Sequence, residues 1–219
     1  MLNAFIPHII SPLSAPWCGW TMLVLLFCAV LGEWFQPGVI SQSVSSVVVR
    51  SDRTYKDAPV NLQGQLLVSL FRIGTIGMAL CLCRAPEGQF SFTAFWVACG
   101  LTLGVLILKM LCNLILDYTF TINRRFGAPY EHYSNIVTLG TAVMYPILLI
   151  LIHASIPAVT HWSLAAVAAL FGLVWLYRCL RTYVVSINAL VYVLLYFVTL
   201  EILPFAGLTY IFAKTLTLL

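Results

Sequence analysis

The residue best placed to do chemistry is Glu201. It lies inside the apolar stretch 189–213, and Pro204 follows three residues later. A carboxylate at that depth in hydrocarbon costs several kcal/mol unless it is paired, protonated or hydrated. Proline removes an amide donor and clashes one turn back, so it frees a carbonyl close to the acid. Two bases sit in other apolar stretches, Arg72 and Lys109. At the helical rise Arg72 lies ~12 Å below the start of its stretch and Glu201 ~18 Å below the start of its own. A long arginine side chain spans about half of such a distance, so Arg72 is either drawn toward the surface or paired, with Glu201 as a candidate partner. Lys109 lies nearer to an end and reaches it more easily. Acid, bases and helix defect together suit proton or ion carriage, or an interior ion pair that only holds helices together.

The remaining reactive side chains point to less. Glu131-His132 is the one adjacent acid–imidazole pair, but neighbours on a helix point different ways, so it reads as a solvated cap. His153 and His161 flank a short turn containing Pro157, and a metal would need a further ligand that the neighbourhood does not supply. The seven cysteines fall mostly within apolar runs and read as small hydrophobes. Cys81-Leu82-Cys83 is not a C-x-x-C pair. No metal, cofactor or catalytic constellation is expected.

The elements that must position these groups are membrane helices. Of 219 residues, 62% are hydrophobic and 8% charged, against roughly 25% charged in soluble domains. That composition excludes a large water-soluble core. The net charge of +4 is too modest for a nucleic-acid footprint, so the basic residues read as topology markers. The expected fold is all-α: a polytopic transmembrane helix bundle of about six spans, forming one integral membrane domain over 1–219.

The spans are expected near 17–35, 64–83, 93–116, 136–156, 162–177 and 189–213, with polar connections at 36–63 and 117–135. No basic n-region precedes the first apolar run, so that run reads as a retained anchor. Within the first connection, 39–49 mixes Val and Ser and suits either a surface helix or a short strand. Gly74 and Gly77 share a face in the second span and permit a close neighbour. Gly100 and Gly104 form a GxxxG spacing in the third, read as a helix-packing site. Pro146 should kink the fourth span after Tyr145. Ala165, Ala168, Ala169 and Gly172 give the fifth a small-residue face. Many Trp and Tyr residues fall near span ends, where an interfacial belt places them.

With six spans, the first, third and fifth connections share one side. They carry Arg50, Arg53, Lys56, Arg124, Arg125, Arg178 and Arg181, whereas the other side has only Arg84 and Lys214. The positive-inside rule puts the first set in the cytoplasm and both termini outside, periplasmic in a two-membrane bacterium.

The block Tyr177-Arg178-Cys179-Leu180-Arg181, leading on to Leu200-Glu201-Ile202-Leu203-Pro204, resembles a family of uncharacterised Bacteroidota inner-membrane proteins, a domain of unknown function. Their C-terminal helix carries a Leu-Glu-Ile-Leu-Pro signature after a basic cluster. Arg178, Arg181, Glu201 and Pro204 are the positions that match. The resemblance covers most of the chain and implies an integral inner-membrane protein, without a reaction. Three readings follow. The first is a non-enzymatic bundle in the lipid bilayer that joins protein partners, or copies of itself, in an envelope or export assembly. The second is a small proton-linked transporter using Glu201. A membrane enzyme ranks last, because only seven acidic residues exist and they are scattered.

Overall fold

The computed structural model describes residues 16–38, 43, 61–84, 91–119, 128–154, 157–183 and 203–216. Among them are six α-helices and no strand: α1 (Pro16–Phe35), α2 (Leu62–Arg84), α3 (Phe92–Thr119), α4 (Ala128–Ala154), α5 (Pro157–Tyr183) and α6 (Leu203–Leu216). The all-α bundle read from the sequence is therefore the fold. Of the segment 39–49, the structure describes only Ser43, which is helical and buried. Of the expected last span, the part before Leu203 lies outside the described residues.

Local chemistry sets the helix ends. Pro16 and Pro157 occupy the first positions of α1 and α5, where a missing N–H costs nothing. Asn61 caps α2: its Oδ1 accepts from Gln63 N at 3.1 Å. Its Nδ2 donates to Phe35 O at 3.1 Å, which fastens the start of α2 to the end of α1. Ser91 caps α3 by accepting from Ala94 N at 3.1 Å. At the end of α1 the chain turns through Gly38, whose φ of 91° suits glycine. The Gly38 N–H donates to Glu33 Oε1 at 2.7 Å, so this carboxylate ties off the turn. Pro146 lies inside α4, which runs through it as one helix.

Among the described residues, four helices carry stretches long and apolar enough to cross a membrane: Pro16–Phe35, Leu62–Cys83, Phe92–Leu111 and Ser134–His153. Trp162–Tyr177 is a shorter apolar segment. The outer surface matches that reading, because Leu23, Val24, Phe27 and Val30 of α1 all face outward. So do Trp20, Trp34, Trp96, Trp162, Tyr177 and Tyr210. Such an apolar coat is stable only against lipid or another protein.

The central helix is α2, which packs against α1, α3, α4 and α5, while α6 packs against α3. Its approach to α1 is set by glycines. A Cβ on Gly32 would lie 2.8 Å from Val68 Cγ2, and one on Gly64 would lie 2.8 Å from Gln36 Cβ. Gly74 accommodates Leu25 in the same way. The paired positions rise on one helix as they fall on the other, so α1 and α2 are antiparallel. On the α3 side, a Cβ on Gly77 would lie 2.7 Å from Cys99 Sγ. Gly74 and Gly77 thus allow the close approach that their spacing predicts. Gly140 of α4 faces the Phe171 ring of α5, 3.3 Å from where its Cβ would be. Since α4 and α5 are joined across 155–156, this pairing makes them an antiparallel hairpin. The core between the helices holds Met22, Phe71, Met78, Phe95, Leu148 and Phe212, among others.

Other small residues point outward. A Cβ on Gly100, Gly104 or Gly172 would meet nothing within 4 Å, and Ala165, Ala168 and Ala169 are exposed. Among the described residues, then, neither the GxxxG spacing of α3 nor the small face of α5 packs a neighbouring helix. A GxxxG spacing places two glycines on one face but does not say which way the face turns.

Substituting Gly64 by Val should cost about 1–3 kcal/mol, since backbone atoms of Gln36 bound that space. The same change at Gly100 should stay within about 0.5 kcal/mol for the isolated chain. Thermal unfolding in mild detergent reads both, and equal losses at the two positions would contradict the packing described.

Candidate functional site

Four helices bring polar side chains to one level of the bundle. Arg72 starts deep, ten residues into α2, or ~15 Å from its beginning. Its side chain runs back along the helix, and Nη1 donates to Ser134 Oγ of α4 at 2.8 Å. The partner found for Arg72 among the described residues is therefore a hydroxyl near the start of α4. Helical side chains lean toward the N-terminus, so α2 itself aims the arginine in this direction. Beside Ser134, Asn135 is 5% exposed.

Lys109 of α3 is also 5% exposed, as is Trp175 of α5. The Lys109 ammonium stands 6.0 Å from the centroid of the Trp175 ring, at the outer limit of a cation–π contact. Arg72 and Lys109 each have further interactions and are not bare charges. The hairpin register relates the two pairs. Gly140 opposes Phe171, so Trp175 stands level with Ile136, and Tyr177 with Ser134. Lys109 and the Arg72 guanidinium thus reach about the same height on neighbouring helices.

All three helices continue past this height: α3 runs on for ten residues beyond Lys109, α4 begins six residues before Ser134, and α5 ends eight residues after Trp175.

Glu201 lies outside the described residues. Arg178 and Arg181 belong to the last two turns of α5, and Pro204 is the second residue of α6. His153 Nδ1 lies 2.7 Å from Leu149 O, one turn back on its own helix. Cys18, Cys28, Cys81, Cys83 and Cys99 are free thiols. Among the described residues no group of three or more His, Cys, Asp or Glu could hold a metal ion.

A second polar contact between helices lies deeper. Tyr145 Oη donates to Met22 O of α1 at 2.7 Å, and its ring lies 5.7 Å from that of Phe71. The buried threonines look after themselves. Thr75, Thr102 and Thr138 each donate to the carbonyl one turn back on their own helix. Sequence reasoning missed Ser134, Asn135 and Trp175. The signal available was the polar pair Ser134-Asn135 at the entry to an apolar stretch.

The Arg72–Ser134 contact makes a measurable claim. Arg72→Gln and Ser134→Ala should each destabilise the bundle, and their effects should fail to add by about 0.5–2 kcal/mol. Unfolding of the two single variants and the double variant in detergent gives the coupling. Strict additivity would mean that the contact carries no energy.

Neither a curated protein nor a solved structure matches this chain. A family match, in contrast, runs over residues 19–212, which takes in Arg72, Lys109, Arg178, Arg181, Glu201 and Pro204. That stretch is most of the chain, and the chain accordingly belongs to the family described as domain of unknown function DUF4271.

Proposed function

We propose that this chain is a non-enzymatic membrane subunit, a helix bundle that binds a protein partner or a second copy within an envelope or export assembly of a bacterial inner membrane. The observation that carries the reading is the outer face of α3. Gly100 and Gly104 leave a notch open to the outside. Leu103, Ile107, Leu108 and Leu111 line the same exposed stripe. Lipid tails are as apolar as leucine, so helices associate in membranes where small residues let backbones approach. The topology that goes with it has six spans. The basic connections lie in the cytoplasm and both termini in the periplasm. The Bacteroidota origin suggested by the C-terminal motif belongs to the same proposal.

In mild detergent the wild-type protein should elute as a complex larger than one chain. Replacing both Gly100 and Gly104 by Leu should reduce the complex several-fold while leaving thermal stability unchanged. A wild-type protein recovered only as a monomer would remove this reading.

A specific observation favours a second reading, a small proton-linked carrier: a lysine is almost fully buried inside the bundle. Intramembrane ionisable residues commonly mark ion or proton paths. Glu201 would be the acid of such a path. Liposome flux should then fall at least tenfold in Glu201→Gln, and equal flux in the two proteins excludes this carrier role.

A further inference from the structure

We propose that Cys18 of α1 and Cys81 of α2 are a disulfide-forming pair, which on oxidation locks the two helices together at the end of the bundle away from the Gly38 turn. The proposal stands apart from the partner reading above; only its compartment borrows the topology given there.

The register of the two helices makes the pair. Leu25 lies over Gly74, and α1 and α2 are antiparallel. Cys18 stands seven residues before Leu25 and Cys81 seven after Gly74, about two helical turns toward the same end of the bundle. Two turns return a residue to nearly the same face, so the two cysteines repeat the Leu25–Gly74 contact. Cys18 is 2% exposed and Cys81 is fully buried, and both belong to the core between the helices. The thiols are near enough to interact electrostatically. Two cysteines put as many heavy side-chain atoms between the backbones as a leucine over a glycine. A disulfide joins backbones whose Cα atoms are roughly 5.5–6 Å apart. Helices brought together by Gly32, Gly64 and Gly74 approach that spacing.

The neighbouring cysteines are turned elsewhere. Cys99 of α3 also lies near Cys81. Its Sγ, however, is seated at Gly77 and donates to Ile73 O at 4.0 Å, one to two turns below Cys81. Cys83 points about 200° around α2 from Cys81, and Cys28 lies ~15 Å along α1 from Cys18.

Enclosed thiols react slowly, and terminal turns are where a helix opens. Cys18 is the third residue of α1, and Cys81 precedes the last residue of α2 by three. The Trp17 ring packs 5.6 Å from that of Phe92 and 6.0 Å from that of Phe95, which holds the first turn of α1 shut. Opening of that turn admits an oxidant of the disulfide class. One thiolate attacks the S–S bond of the oxidant and displaces a thiolate. The second cysteine attacks the mixed disulfide and displaces the other. One S–S bond forms in the protein and one breaks in the oxidant. Two electrons pass to the oxidant, and its two leaving thiolates take up the two protons. In the topology proposed above this end faces the periplasm, where disulfides persist.

Oxidation of the full-length protein with dithiodipyridine in mild detergent, followed by trypsin without reductant, tests this. Cleavage after Arg50, Arg72, Arg84 and Lys109 puts Cys18, Cys81 and Cys99 on the separate peptides 1–50, 73–84 and 85–109. The expected product is 1–50 joined to 73–84, at least fivefold in excess of 1–50 joined to 85–109. Fragmentation in the mass spectrometer should assign the linked sulfurs to Cys18 and Cys81. Cys18→Ala and Cys81→Ala should each abolish the product, whereas Cys28→Ala and Cys83→Ala should leave it. Helical circular dichroism confirms that the variants are folded. Should a variant not fold, the assignment in wild type still decides. Absence of the linked peptide from oxidised wild type overturns the proposal. So does a link assigned to Cys28, Cys83 or Cys99, or one that survives in folded Cys18→Ala or Cys81→Ala. Such a failure leaves the partner reading standing, because that reading is judged by the size of the complex.

Discussion

The bundle depends on how closely α2 can approach its neighbours. Water drives apolar helices together in a soluble protein, but lipid gives no such drive, so contact distance decides what is gained. Gly32 and Gly64 bring α1 and α2 together at one end of their interface, and Gly74 admits Leu25 further along. Gly77 opens the opposite face of the same helix to α3. Dispersion falls steeply with separation, so these few missing methyl groups place many side chains at useful distance. Met22, Phe71, Met78 and Phe95 then close the core around α2. With α2 fixed, Arg72 is aimed at α4, and α4 in turn sets the height of α5.

Much of this frame is legible in the sequence, because a membrane makes strong demands on composition. Long apolar stretches bounded by charge give helices, and α1 and α2 end at Phe35 and Arg84. Orientation about each helix axis is harder to read. When nearly every position is apolar, periodicity no longer separates the inside from the outside. Gly74 and Gly77 face protein while Gly100 and Gly104 face out, although both pairs offer small residues on one face. The Arg72–Ser134 contact was hidden for a related reason. An uncharged hydroxyl 62 positions away in sequence carries no sign that would single it out. Trp175 likewise reads as one more aromatic near a span end until Lys109 is seen beneath it.

The polar inventory falls into two kinds. Threonines in the middle of the helices return their hydroxyls to their own backbone, which satisfies each donor locally and commits nothing to a neighbour. Arg72 instead reaches another helix, donating to Ser134 Oγ of α4, and Lys109 stands over the Trp175 ring of α5. The interior of this bundle therefore holds threonines that are self-contained beside cations that contact a second helix.

The hydrogen bond from Tyr145 to the carbonyl of Met22 joins residues 123 positions apart. As the chain is made, α1 and α2 emerge first and can pair at once through their glycines. The upper half of α1 then has no tyrosine to meet until α4 has been synthesised. The first hairpin therefore lacks this bond until α4 has been made, and the fourth helix completes the first.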